Sequence, residues 1–297
     1  MRLRIGTRES RLALIQAEKV VSSLKSLSID FELVKYKTSG DRILDKNLYD
    51  IGGKGLFLKE IEDALIKNEI DIAVHSYKDV PGSIDARLKI GAVLEREDPR
   101  DVLLSYKAKS IKDLPKNSVV GTCSPRRRVT ILDLRPDIKV VDLRGNIETR
   151  IKKFQEENLD AIILASAGLL RLELFNNEYC SYIDSDIMIP AIGQGTIAIE
   201  YKADRKDLDE IFKKINHYET WLLSNIERDF LKHLNANCNS PVACYCRRKD
   251  SQILVDFMYA DYNLKFIERE KIKFAFEDYH NFVNIGESVA KKMLINK

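Results

Sequence analysis

Short apolar runs of strand length alternate with stretches of helical period through roughly the first two hundred residues, and that alternation confines the chain to a layered α/β architecture. Arg2 to Ile5 and Phe31 to Tyr36 alternate as strands do, whereas Leu14, Ala17, Val21 and Leu24 recur at 3, 4, 3 spacing behind Ser10, a residue suited to cap a helix. A loop with Gly52, Gly53 and Gly55 precedes a helix marked by Phe57, Ile61, Ala64 and Leu65. Asp71 to Val74 then reads as a buried strand whose C-terminal end delivers His75, Ser76, Tyr77, Lys78 and Asp79. After a strand near Leu88 to Leu94, the charged stretch Glu95 to Arg100 marks a crossover and a domain boundary. A second series follows, with strands near Val119, Val140 and Ala161 to Ala165 and helices near Arg127 to Leu134 and Ile147 to Glu157. Such alternation favours mainly parallel sheets. Thr196 to Glu200 reads as a lone strand able to return to the first sheet. From His217 the pattern becomes a long helix to about Leu234, three strand-like runs around Val242, Ile253 and Leu264 to Lys271, and a closing helix from about His280. The expected domains are 1–95 with 195–215 (discontinuous α/β), 96–194 (α/β) and 216–297 (small α+β).

Composition removes several classes of function. With 44% hydrophobic and 32% charged residues, the chain can bury real cores and is not mainly disordered. Forty-nine Lys plus Arg against 46 Asp plus Glu leave +3, too little for a dedicated polyanion binder, so any anion specificity must come from local clustering. The longest apolar candidate, Ala161 to Leu170, is too short to span a bilayer. The charged opening MRLRIGTRES lacks the apolar region of a signal peptide, so the expected location is cytoplasmic. Five cysteines in a chain of this length read as thiols rather than a disulfide framework.

The local clustering exists. Residues 121 to 171 hold Arg126, Arg127, Arg128, Arg135, Arg144, Arg150 and Arg171, 7 of the 20 arginines. Arg126 to Arg128 sit where a strand ends and a helix begins, beside Ser124, and Arg144 holds the matching place after the next strand with Arg150 a turn into its helix. Helix N-termini and Arg forks both favour carboxylate or phosphate, and ligands of open α/β sheets bind at such strand ends. Three adjacent arginines cannot all face one pocket, and Arg128 and Arg135 are the expected solvent-facing members. Asp79 either stabilises a cationic intermediate or moves a proton, or else pairs with Lys78 and starts a turn before Pro81. His75 reads as a structural hydrogen-bonding group. Lys54 follows glycines, but the spacing is not that of a phosphate loop. Cys238 lies in a polar run, Asn235 to Pro241, and offers an accessible thiol. Cys244 and Cys246 share one face of a strand, and with Cys238 and His233 they match no usual zinc spacing, so no metal site is expected.

In combination the chain resembles the porphobilinogen deaminase (hydroxymethylbilane synthase) family over nearly its whole length. The resemblance is carried by Gly6 to Ser10, Gly52 to Phe57, His75 to Pro81, Glu97 to Asp101, Arg126 and Arg127, Leu143 to Asn146, and Ala191 to Gly195. It implies two α/β domains like those of type II periplasmic binding proteins, followed by a small C-terminal α+β domain. It implies a transferase of tetrapyrrole (heme) biosynthesis that acts as a monomer on the small molecule porphobilinogen, with no nucleic acid or membrane partner. It further implies a dipyrromethane cofactor on a thioether to Cys238, to which four porphobilinogen units add head to tail with loss of ammonia before hydroxymethylbilane is hydrolysed off. By the same resemblance Asp79 is catalytic, stabilising the azafulvene cation. Lys78, Ser76, Ser124, Arg126 and Arg127 contact the cofactor, and Arg8, Ser10, Arg144, Arg150 and Arg171 hold substrate or growing chain. Lys54 and Phe57 belong to a lid. The chain departs from the family pattern at Ala236 and Asn237, which replace Gly-Gly before the cofactor cysteine, at Cys123, which replaces a common Ser, and at Asp50, where a basic residue is usual.

Two other classes share parts of this pattern. A solute-binding protein would have the two-lobed fold, and a nucleic-acid binder could use the arginines, but neither needs both Asp79 and Cys238.

Overall fold

Two five-stranded sheets built to one plan, and a third of three strands, account for the alternation and for its loss after residue 216. The computed structural model of the chain describes residues 2–37, 58–236 and 240–295. In the first unit β1 (Arg2–Arg8), α1 (Arg11–Lys25) and β2 (Asp30–Tyr36) form a βαβ start with β1 and β2 parallel, Leu3 opposite Phe31. Ser10 caps α1, its hydroxyl accepting from the Ala13 N–H at 3.3 Å, and Ala17, Val20, Val21 and Leu24 bury the inner face. After α2 (Lys59–Ile66) come β3 (Ile72–Ser76) and β4 (Leu88–Val93).

The second unit holds β5 (Asp101–Leu104), β6 (Val119–Gly121), α3 (Pro125–Leu134), β7 (Lys139–Val141), α4 (Ile147–Glu156), β8 (Ala161–Ala165), α5 (Ser166–Arg171) and β9 (Cys180–Ile183). The chain then returns as β10 (Ile197–Lys202). The sheet orders are β2-β1-β3-β10-β4 and β7-β6-β8-β5-β9, so the lone strand does complete the first sheet.

The expectation of mainly parallel sheets needs correction. β10 runs antiparallel to β3 and β4, and β5 antiparallel to β8 and β9, so the fourth strand of each sheet opposes both neighbours. The reason lies in how these strands arrive. Each enters directly from the other unit rather than through a crossover helix, and only a crossover returns a chain to the same edge for parallel pairing. Periodicity does not single out β5 and β9, because β5 opens on a charged Asp and neither strand leads into a helix within a few residues as the three-residue β6 and β7 do.

α6 (Lys206–Ile215) adds Leu208 and Phe212 to the first core. In the third unit α7 (Tyr218–His233) and α8 (Ile285–Ile295) pack on the antiparallel sheet β11 (Val242–Lys249), β12 (Gln252–Ala260), β13 (Ile267–Ala275). Cys244 and Cys246 lie together on the buried face of β11, as their spacing requires.

One buried carboxylate joins the three units. Glu227 of α7 accepts from Arg96, on the first connection, at 2.7 and 3.1 Å, from the Gly193 N–H on the return connection at 2.8 Å, and from the Cys246 N–H at 2.9 Å. A desolvated charge with this many donors is fully compensated, and removing its partner would leave it exposed to the full cost of burial.

Candidate active site

A cleft of about 230 Å³ opens where the strand ends of the two large sheets face each other. Lys78 and Asp79 reach it from the first unit, Ser124, Arg126, Arg127 and Arg150 from the second, and Leu231, Ser240 and Val242 from the third. A smaller adjoining cavity of about 80 Å³ shares Lys78, Arg127 and Arg150 and adds Ser76 and Arg171.

Local sequence explains each placement. β3 ends at Ser76, and a single 3-10 turn, Tyr77–Asp79, follows. The Tyr77 ring is buried, which turns the next two side chains the other way, and the Val80 N–H closes the turn on the Tyr77 carbonyl at 3.2 Å. Pro125 starts α3 at a position where its missing N–H costs nothing. Ser124 before it makes no capping bond with its side chain and borders the cleft. In the next loop Gly145 has φ +114°, and a Cβ there would meet Thr149 Cγ2 at 2.7 Å, so only glycine fits. The Gly145 carbonyl accepts from Arg150 Nε at 2.8 Å, and Asn146 caps α4 by accepting from the Thr149 N–H at 2.7 Å.

Beneath the cleft lies a carboxylate to which sequence reasoning gave no role. Asp101, the first residue of β5, has no exposed surface and accepts from Arg126 Nη1 at 2.7 Å, Arg127 Nη2 at 2.7 Å and Gln194 Nε2 at 3.1 Å. Burial pushes its carboxyl up, but the two guanidiniums outweigh that and hold it well below the usual carboxylate range. Arg126 and Arg127 are themselves almost fully buried and also donate to the Ile189 and Ile163 carbonyls. They are therefore fixed from below, and two cations over one anion leave a surplus positive charge at the cleft. The signal that could have found Asp101 was its place two residues after Pro99 at the crossover, but nothing local says what it faces.

Burial pulls Lys78 down to about 8, with Asp79 opposing and Arg127 assisting. Burial also lowers Arg127, Arg150 and Arg171, which remain cations at neutral pH because guanidinium starts above 12. Asp79 makes no hydrogen bond or ion pair among the described residues, so the reading that pairs it with Lys78 is not what the fold adopts; the turn before Pro81 is. It is the one carboxylate bordering the larger cavity among the described residues.

The remaining expectations divide. Ser76 shares a hydrogen bond of 2.8 Å with Gln16, and Arg171 donates to the Gly195 carbonyl at 2.6 Å. Arg8 ends β1 and Ser10 caps α1, but neither is among the described residues bordering the two cavities, nor is Arg144, which lies close enough to Arg150 and Cys123 to be felt by both. Arg128 is partly exposed and pairs with Asp142 at 3.3 Å. Arg135 is mostly buried, pairing with Asp137 at 2.7 Å and donating to the Lys112 and Leu114 carbonyls at 2.8 and 3.0 Å, so it is not the solvent-facing member expected; neither is among the described residues bordering the two cavities. His75 pairs with buried Glu200 at 3.0 Å. Cys123 borders the cleft with its thiol donating to the Leu143 carbonyl at 3.0 Å, and burial pushes that thiol up. Lys54, Phe57, Cys238, Asp50 and Asn237 lie outside the described residues. Among the described residues no group of His, Cys, Asp and Glu could hold a metal ion, and the described cysteines, Cys123, Cys180, Cys244 and Cys246, are free thiols.

A ligand rich in carboxylates suits this surface on a specific ground. Arg126 Nε and Arg171 Nε are buried and make no hydrogen bond among the described residues, so both guanidiniums beside the cavities keep donor capacity that suits an anionic oxygen. A dipyrromethane, with an acetate and a propionate on each ring, is such a ligand.

Comparison with known proteins agrees with the geometry. Residues 3–210 match the family described as "Porphobilinogen deaminase, dipyromethane cofactor binding domain", and residues 221–295 match "Porphobilinogen deaminase, C-terminal domain". The chain is 51% identical over 259 residues to the porphobilinogen deaminase of Rickettsia bellii (strain OSU 85-389), covering 86% of each chain. It is 49% identical over 274 residues to that of Rickettsia canadensis (strain McKiel), covering 92% of this chain and 90% of the relative. Among solved structures it is similar to the second substrate binding domain of a putative amino acid ABC transporter from Streptococcus pneumoniae, with a TM-score of 0.48 and 13% identity over 78% of this chain and 97% of that one. A dedicated cofactor-binding segment and the C-terminal segment thus occur in family order around one cationic cleft, with about half the residues shared with full-length relatives, and the chain belongs to the porphobilinogen deaminase family.

Proposed function

We propose that the cleft condenses four porphobilinogen molecules head to tail on a dipyrromethane cofactor tethered to Cys238, releasing ammonia at each addition and hydroxymethylbilane by hydrolysis at the end. The observation that carries this is the pairing of one carboxylate, Asp79, which makes no hydrogen bond or ion pair among the described residues, with cations supplied from both sheets. A static binder of acids gains nothing from an acid of its own at the centre of its site. A reaction that develops positive charge does.

When bound, the cofactor supplies an electron-rich pyrrole carbon as nucleophile. Lys78, Ser76, Ser124, Arg126 and Arg127 are the residues that would hold it, the last two preorganised by Asp101 so that no reorganisation is needed when carboxylates arrive. Lys78, with its value near 8, stays mainly protonated at neutral pH and gains charge as carboxylates approach. Arg8, Ser10, Arg144, Arg150 and Arg171 would hold the acetates and propionates of substrate and growing chain. Asp79 faces the positive charge that develops on porphobilinogen as ammonia leaves, and in a desolvated cleft an anion there is worth far more than in water.

The proposed division into 1–95 with 195–215, 96–194 and 216–297 is supported by the membership of the three sheets and by the two family segments. The reading also takes the chain to act as a cytoplasmic monomer on this small molecule, without nucleic acid or membrane. Among the described residues no helix is long and apolar enough to cross a membrane.

The test is the intact mass of the purified protein before and after limiting porphobilinogen. The expected result is a two-pyrrole adduct at the start and additions one pyrrole apart that stop at four. A spectrum containing only the bare chain would overturn the reading, and a solute binder or nucleic-acid binder would give that spectrum.

A further inference from the structure

The turn that presents Asp79 is held from outside its own unit. Arg228, on α7 of the third unit, donates from Nη1 to the Val80 carbonyl at 2.6 Å and from Nη2 to the Pro81 carbonyl, while its guanidinium carbon lies 4.9 Å from the centre of the Tyr77 ring. One side chain thus grips both ends of the segment containing Lys78 and Asp79. The approach of the two backbones is close as well. A Cβ on Gly82 would lie 3.2 Å from the Leu231 backbone, tighter than ordinary contact, so the chain leaving the turn rests directly on α7.

Among the described residues, Arg228 is the side chain that bonds the Val80 and Pro81 carbonyls. An arginine fork is suited to the task because it is planar and always charged, and it bonds two acceptors while stacking on an aromatic face. Burial lowers Arg228 while Tyr77, Glu227 and Glu200 raise it, and it remains a cation.

We propose that Arg228 is a positioning residue for the reaction: by holding the Val80 and Pro81 carbonyls and the Tyr77 ring, it makes the aim of Asp79 into the cleft depend on how the third unit is docked. This rests on the role of Asp79 proposed above. Its consequence is that loosening the turn should misplace a group that must sit within a fraction of an ångström of its target, and such misplacement costs on the order of 10²-fold in rate.

The test uses the full-length holoprotein and its Arg228→Met and Arg228→Lys variants, with two measurements. Hydrogen exchange is expected to rise at least about tenfold in a peptide spanning residues 76–82 of Arg228→Met, while β11 to β13 keep their protection. Steady-state kinetics are expected to show kcat reduced by about 10-fold to 10²-fold with KM changed by less than about threefold, and Arg228→Lys, which keeps a donor, should recover part of the loss. A purely structural role would lower the yield of folded protein and leave kcat per holoprotein unchanged, and that result would overturn the proposal, as would unaltered exchange in 76–82. Should Arg228→Met not fold, Gly82→Ala takes its place: it leaves the guanidinium intact but pushes the same turn off α7, with the same two effects expected and the same results counting against it. Normal turnover by Asp79→Asn would bring down the functional reading instead, and the exchange measurement would still decide whether Arg228 holds the turn.

Discussion

Asp101→Asn tests the claim that the cationic wall of the cleft is built on one buried anion. The substitution keeps shape and removes charge. The carboxylate has no exposed surface and accepts from Arg126 at 2.7 Å, from Arg127 at 2.7 and 3.1 Å and from Gln194 at 3.1 Å. An amide can accept on one side only, and its own N–H groups would point at a guanidinium. Breaking a buried pair from one side typically costs about 3 to 5 kcal/mol, because the other charges stay buried and uncompensated. At about 2 to 4 °C per kcal/mol for a protein body of this size, the melting temperature should fall by about 6 to 20 °C. The pH dependence has a definite sign. The folded-state value of Asp101 is lowered, so its stabilisation is present above the unfolded carboxyl value of about 4 and is lost as pH falls through the lower folded value. The gap between parent and variant should therefore be constant near neutrality and begin to close only below about pH 4. Function should respond too. Asp101 is among the charges that raise Lys78 against burial, so the alkaline limb of kcat/KM that follows Lys78 should move below its position near 8. Scanning calorimetry across pH and a pH–rate profile measure both effects. A variant that melts within about 2 °C of the parent with an unmoved alkaline limb would refute this account of Asp101, since a desolvated ion cluster cannot lose its only anion at no cost.

Three further outcomes are expected. Asp79→Asn should fold and keep its cofactor but lose turnover by on the order of 10²-fold or more, measured as hydroxymethylbilane formed per holoprotein; near-parental activity would remove Asp79 from the reaction. Cys238→Ala should give folded protein lacking the two-pyrrole mass, and persistence of that mass would place the tether elsewhere, with Cys123 at the cleft as the first residue to examine. Arg150→Leu should shift the ladder of pyrrole additions toward its early members, because a charge-assisted bond worth about 1.5 to 3 kcal/mol is lost, while an unchanged ladder would remove only that residue from the list.

The α/β class, the Ser10 helix cap and the positions of most strands are set by local pattern and were legible in the sequence. Ser10 caps α1, the lone strand after Gly195 returns to the first sheet, and Arg126, Arg127 and Arg150 stand at strand ends around a cleft, because periodicity and turn chemistry act over a few residues. The order of family motifs along the chain carried the function for the same reason: each motif is short and self-contained. What only the tertiary structure decided is where the side chains at those positions find partners. Arg126 and Arg127 turn back onto Asp101, 25 and 26 residues away, and the Val80 and Pro81 carbonyls that follow Asp79 are met by Arg228, 148 and 147 residues away. A local pattern places a backbone, but a buried charge is satisfied by whichever group the packing of distant elements brings within about 3 Å, and that choice is made only when the sheets and the third unit close around it.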